Sequence, residues 1–117
     1  MPAKPGRQHR HLPAFILLTL AHESRHGGAI HTALSQRLEG FNTDSGAIYR
    51  TLRALEEQGA IASTWDTPRT GPARKVYQIT PAGWIQLQAL AEDIRYRLGL
   101  LQTFLTSYED LMASRNG

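Results

Sequence analysis

Ile48, Leu52 and Leu55 fall at i, i+4 and i+7, the spacing of one narrow apolar stripe on a helix. Gly46, Arg50 and Arg53 lie nearly opposite that stripe, with Tyr49 on its flank. Asp44 stands where an N-cap carboxylate accepts from backbone amides one turn in, and Gly59 stands where a helix stops. The pattern predicts a helix with one face on a core and the other presented to something anionic. Directly after it, Ile61–Trp65 and Arg74–Ile79 are short runs rich in β-branched and aromatic residues, separated by the Pro/Gly punctuation of Pro68–Ala73. These predict a hairpin with a projecting loop of about seven residues, longer than a tight turn needs.

Upstream, Leu12–Glu23 predicts a first helix with Pro13 in its first turn. Phe15, Ile16, Leu17, Leu18 and Leu20 cover most of its circumference, so burial on several sides is expected. The Gly27-Gly28 pair reads as the end of that segment. Ala29–Glu39 then predicts a short second helix with Ile30, Ala33, Leu34 and Leu38 inward, and Gly40-Phe41-Asn42 a brief turn into the third. Downstream, Thr80-Pro81 has the form of an N-cap followed by a proline at the first helical position. From Trp84 an apolar heptad runs through Leu87, Ala91, Ile94, Leu98, Leu101, Leu105, Tyr108 and Met112, widened by Leu90, Phe104 and Leu111. A helix from Pro81 to Met112 would be about 48 Å long at 1.5 Å per residue. Its distal part cannot be covered by a protomer of this size, so Ile94, Leu98, Leu101, Leu105 and Tyr108 are expected to form a dimer seam. Packing inside one protomer would account only for residues 84–94. Gly99, at an outward position, marks a place for a bend.

The expected fold class is mainly α with a small β-hairpin: a winged helix-turn-helix over residues 12–80, a dimerisation helix over 81–113, a basic tail at 1–11 and a short tail at 114–117. A helix sized for the major groove, followed by a basic hairpin that can touch the neighbouring backbone, predicts binding to double-stranded DNA.

Charge supports this only through its distribution. The net charge is +3. Residues 1–80 carry ten Lys/Arg against six Asp/Glu, and residues 81–117 carry three against four, so the positive excess lies with the DNA-binding part. The absence of cysteine excludes disulfides, thiolate nucleophiles and Cys-based zinc sites. Leu12–Ala21, the longest apolar run, is about half of a bilayer span, and a cytoplasmic protein is expected. Residues 1–11, with Lys4, Arg7 and Arg10, are either a disordered tail or an arm on a DNA backbone.

The histidines offer a competing reading. His22 and His26 are four apart and could share a helix face as metal ligands, although only Glu23 stands beside them. No metal site and no cofactor is expected. No nucleophile–base pair or phosphate loop stands out, so an enzyme is not expected. A winged helix that binds only proteins is the other alternative.

LPAFILLTLAHE, HGGAI, SGAIYRTLRALEEQG and GPARKVYQITPAG together resemble the PadR family of transcriptional regulators, from about Leu12 to Leu111. GAIYRTLRALEEQG with STWDTPRTGPARKVYQIT is similar to the branch described as poly-β-hydroxybutyrate-responsive repressors. Two departures stand out: Asp44-Ser45 replaces a frequent Ser-Pro, and no aromatic residue follows His26-Gly27. The resemblance implies a homodimeric repressor on a near-palindromic operator, with the C-terminal helix making the dimer. It implies helix contacts to DNA from Ser45, Tyr49, Arg50 and Arg53, and wing contacts from Arg74 and Lys75. It also implies a small-molecule effector, for which Trp65 and Trp84 are the candidate contacts.

Overall fold

The computed structural model describes residues 10–37 and 44–116. The elements in chain order are α1 (Leu12–His22), β1 (Arg25–His26), α2 (Gly27–Arg37), α3 (Ser45–Glu57), β2 (Ile61–Asp66), β3 (Arg74–Ile79) and α4 (Pro81–Asn116). Expected features at Lys4, Arg7, Leu38, Glu39, the Gly40–Asn42 turn and Gly117 lie outside the described residues. Two compact units are distinguished, one ending at Leu87 and the other starting at Gln88.

The first unit is built on the side chains that the apolar periods single out. Ile16, Leu17 and Leu20 of α1, Ile30 and Leu34 of α2, and Ile48, Leu52 and Leu55 of α3 are all buried. Burial of such side chains, at about 1.5–3 kcal/mol each, is the main term holding the three helices together. α1 is less enclosed than its composition suggests, since Leu18 is exposed and Phe15 half-buried. One polar residue, Thr19, enters this core; its hydroxyl donates to the Phe15 carbonyl oxygen at 2.8 Å, so this buried hydroxyl is not left unpaired.

The hairpin is one half of a larger object. β3 pairs with β2 from Ile61↔Ile79 to Asp66↔Arg74, and on its other edge with β1 through Arg25↔Tyr77 and His26↔Val76. The result is a three-stranded antiparallel sheet in the order β1-β3-β2. The Gly27-Gly28 pair is a second correction: α1 has already ended at His22, and the two glycines open α2. In a first turn the amides have no intrahelical acceptor in any case, so the low helix propensity of glycine matters little there.

Two joints fix the ends of α3 and the start of α4. Asp44 Oδ1 accepts from the Ala47 amide at 2.7 Å, and Gly59 takes φ +79°, a backbone region costly to residues with a Cβ. Thr80 Oγ1 accepts from the Gly83 amide at 3.0 Å and lies 2.7 Å and 2.9 Å from the carbonyl oxygens of Gly59 and Ala60, to which it donates. Its amide also donates to the Ala60 oxygen at 3.0 Å. Gly83 lies so close to this joint that a Cβ there would stand 2.0 Å from the Ala60 oxygen and 2.7 Å from Ile79 Cγ1.

The second unit is the remainder of α4. The helix is continuous through Gly99, where an added Cβ would meet nothing within 4 Å. Arg95 bonds Glu92, and Arg97 Nε donates to Asp93 Oδ2 at 2.8 Å. Phe104 and Tyr108 stack with ring centres 6.3 Å apart.

Candidate nucleic-acid interface

α3 carries its apolar stripe inward, which turns Ser45, Tyr49, Arg50 and Arg53 outward; all four are exposed. The sequence leaves open a pairing of Arg53 with Glu56 or Glu57. Glu56 is engaged elsewhere: its Oε2 accepts from the Ser63 hydroxyl at 2.6 Å, and its Oε1 lies 3.9 Å from Lys75 Nζ. Among the described residues, Arg50, Arg53, Arg69 and Arg74 form no ion pair with a carboxylate. The outward face of α3 and the wing therefore present uncompensated positive charge, in the geometry that favours a polyanion.

Lys75 differs from these arginines. Besides its contact with Glu56, its ammonium stands over the Trp65 ring, 5.9 Å from the centroid, within the range of cation–π attraction. Its charge is partly answered inside the protein. Tyr49 also has a neighbour: its ring covers Gly27, where a Cβ would come within 2.5 Å of Cε1 and 2.8 Å of the hydroxyl oxygen. The tyrosine is half exposed and rests against the start of α2.

Tyr49, Trp65, Arg74 and Lys75 come together with His26, Gly27, Gly28 and Tyr77 around a cleft of about 630 Å³. Ser45, Arg50 and Arg53 are not part of its wall, nor is Trp84, which lies half exposed on the first turn of α4. The two tryptophans therefore do not share this cleft. Tyr77 forms the buried side; burial pushes its phenol above the usual 10.0, and Glu56 and Tyr49 add to the rise against a smaller opposing pull from Arg53. Gly27, Glu56, Ser63 and Tyr77 were not legible as site residues, and His26 was legible only as a candidate metal ligand. The one local signal was His26-Gly27-Gly28, which reads as a breaker.

His22 and His26 do not share a helix face, because α1 ends at His22 and His26 belongs to β1. His26 Nε2 instead points toward Asp66 Oδ2 at 3.5 Å. The i, i+4 geometry behind the metal reading is thereby lost. Among the described residues no group of three or more metal-ligating side chains occurs, and no helix is long and apolar enough to cross a membrane.

On α4, Leu98, Leu101, Leu105 and Tyr108 of the expected seam are exposed, Leu98 and Leu101 by more than half, while Ile94 is half-buried. Phe104 and Leu111, which widen the stripe, are exposed as well.

Comparison with known proteins agrees with this architecture. A PadR-family regulator from Clostridium difficile superimposes with a TM-score of 0.73 at 23% identity, covering 81% of this chain and 98% of that one. A PadR-like transcriptional regulator from Bacillus cereus gives 0.70 at 25% identity, covering 81% and 91%. Bacillus subtilis PadR, solved in complex with operator DNA, gives 0.63 at 26% identity over 68% of this chain and 46% of that longer one. No curated protein sequence matches the chain. The family model described as "Transcriptional regulator PadR-like family" matches residues 16–89, from the core of α1 through all three strands and into α4. With that span matched and the winged-helix architecture in place, the chain belongs to the PadR-like family of transcriptional regulators.

Proposed function

We propose that the chain is a sequence-specific DNA-binding repressor that acts as a homodimer in the cytoplasm on a near-palindromic operator. The observation that carries this reading is the run of arginines on α3 and the wing that have no carboxylate partner among the described residues, set on the fold of a protein solved with its operator. In this reading Arg50 and Arg53 supply the base-edge contact, for which a guanine is the best match. Ser45, Tyr49 and Arg74 hold the backbone, and Lys75, shared with Glu56, adds less. The exposed stripe on α4 supports dimerisation, because an apolar surface of that length on a soluble helix marks a contact site. Likeness of the α3 and wing sequences to poly-β-hydroxybutyrate-responsive repressors supports release by a hydrophobic effector.

The test is a gel shift and anisotropy titration against the gene's own upstream region, with no metal added. Arg50→Ala or Arg53→Ala is expected to cost about 1–3 kcal/mol on operator DNA and much less on random DNA. A dimer placing six to eight cations on phosphates should give a log K against log salt slope of roughly −5 to −7. Unchanged operator affinity in both arginine variants at physiological salt would show that α3 is not the reading head.

A further inference from the structure

Glu56 stands in the last turn of α3, the end of a helix where a carboxylate works against the helix dipole. What it holds explains its place better than helix stability does. Residues directly opposite each other in a sheet share a face, and Ser63↔Tyr77 and Trp65↔Lys75 are two such pairs, two positions apart along each strand. Ser63 of β2 and Lys75 of β3 therefore lie on one side of the wing, and the Glu56 side chain reaches both. Its Oε2 accepts from the Ser63 hydroxyl at 2.6 Å, and its Oε1 lies 3.9 Å from Lys75 Nζ. An isolated surface pair of that length would hold little. This pair is anchored at both ends, because Ser63 fixes the carboxylate and the Trp65 ring lies 5.9 Å from the same ammonium. Glu57, the next residue, is exposed and pairs with no cation among the described residues.

We propose that Glu56 is a positioning residue that holds Lys75 back from the DNA backbone, and so limits how tightly the protein clings to DNA of any sequence. Ser63 aims the carboxylate, the carboxylate and Trp65 keep the ammonium, and the wing meets phosphates with its arginines alone. Phosphate contacts carry no sequence information, so a cation withheld in this way lowers retention on random DNA without touching base reading by α3. The proposal rests on the DNA-binding reading of this face. It goes beyond that reading by giving an acidic residue the task of setting the strength of the non-selective grip.

Full-length protein is titrated by fluorescence anisotropy against two labelled duplexes of equal length, the gene's own upstream region and a mixed sequence, over a series of salt concentrations. Glu56→Gln keeps an oxygen for Ser63 but removes the charge that holds Lys75. It should tighten both duplexes about fivefold or more at low salt, and steepen the log K against log salt slope by about two for a dimer, one contact per protomer. Lys75→Met in the same protein should cancel both changes, a coupling that independent sites do not show. Lys75→Met alone should alter affinity less than twofold, roughly, because the contact it removes is one the parent does not make. Ser63→Ala, which loosens the carboxylate without discharging it, should shift binding in the direction of Glu56→Gln by a smaller factor. Glu57→Gln removes the same charge from the same helix end and should leave the slope where it is. The proposal is overturned if Glu56→Gln behaves like Glu57→Gln, or if its gain survives Lys75→Met. It is overturned equally if Lys75→Met alone flattens the slope by about two, since the lysine would then already be on phosphates; that variant decides the matter even if Glu56→Gln fails to fold. A parent protein that binds neither duplex at low salt removes the DNA-binding reading and this proposal with it, whereas a parent that binds beside an unresponsive Glu56→Gln removes the proposal alone.

Discussion

Replacing Gly83 by alanine puts a methyl group where the Ala60 carbonyl oxygen lies 2.0 Å away. That distance is impossible for a real contact, so α4 and the β2 end must separate. The oxygen cannot simply turn aside, because it already accepts from both the amide and the hydroxyl of Thr80. Overpacking of this kind costs about 1–3 kcal/mol, and the rigid backbone neighbour favours the upper part of that range. Alanine would return at most about 1 kcal/mol of helix propensity, and less in a first turn. A net loss of about 1–2 kcal/mol is expected, which lowers the melting temperature by about 5–15 °C for a unit of this size. Gly99 provides the internal control. It lies in the same helix, yet a Cβ there meets nothing, so Gly99→Ala should stabilise by about 0.5–1 kcal/mol. Thermal and urea unfolding followed by circular dichroism, at one fixed protein concentration because any dimer couples stability to concentration, measure both. If Gly83→Ala is as stable as the parent, or shifts in the same direction as Gly99→Ala, the close approach of α4 to Ala60 does not exist.

Three further outcomes are expected. Leu101→Glu with Leu105→Glu should turn a dimer into monomers, or into insoluble protein, in sedimentation at micromolar concentration; a monomeric parent would remove the seam on α4. Asp44→Ala should cost about 1 kcal/mol in urea unfolding through loss of the 2.7 Å cap to Ala47. The raised pKa of Tyr77 means that its neutral form is favoured in the folded state, so the unfolded chain ionises first. Its contribution is therefore intact below about pH 10 and declines as pH climbs past that value. Tyr77→Phe should show a flatter stability profile above pH 10.

The features legible in the sequence are those carried by local rules. The cap at Asp44, the stripe through Leu55 and the stop at Gly59 need only residues within one helix. The Thr80-Pro81 start of α4 and its apolar heptad are equally local. α4 runs on past Met112 to Asn116, because Ala113-Ser114-Arg115 contains no breaker and Arg115 suits the negative end of a helix. β1 was invisible for the opposite reason. Two residues show no alternation, and their partners Val76 and Tyr77 lie some fifty positions away. Pairing at that distance also hid the cleft, whose walls come from three separate segments. The basic residues of α3 and the wing could be picked out individually, but not the division that, among the described residues, leaves Arg74 without a carboxylate and Lys75 shared between Glu56 and Trp65.

Gly27 and Gly83 also differ in what sequence change can do at each. The obstacle beside Gly83 is a main-chain carbonyl held by its neighbours, so substitutions there meet a fixed wall. The obstacle beside Gly27 is the far end of the Tyr49 side chain, which can swing away. A residue with a side chain at position 27 would be accommodated at modest cost, but the ring and hydroxyl of Tyr49 would settle in a new direction. Position 27 thus acts as an adjusting screw for the outer surface of α3. Drift at a residue with no side chain of its own could retune what that surface fits while the core beneath it stays unchanged.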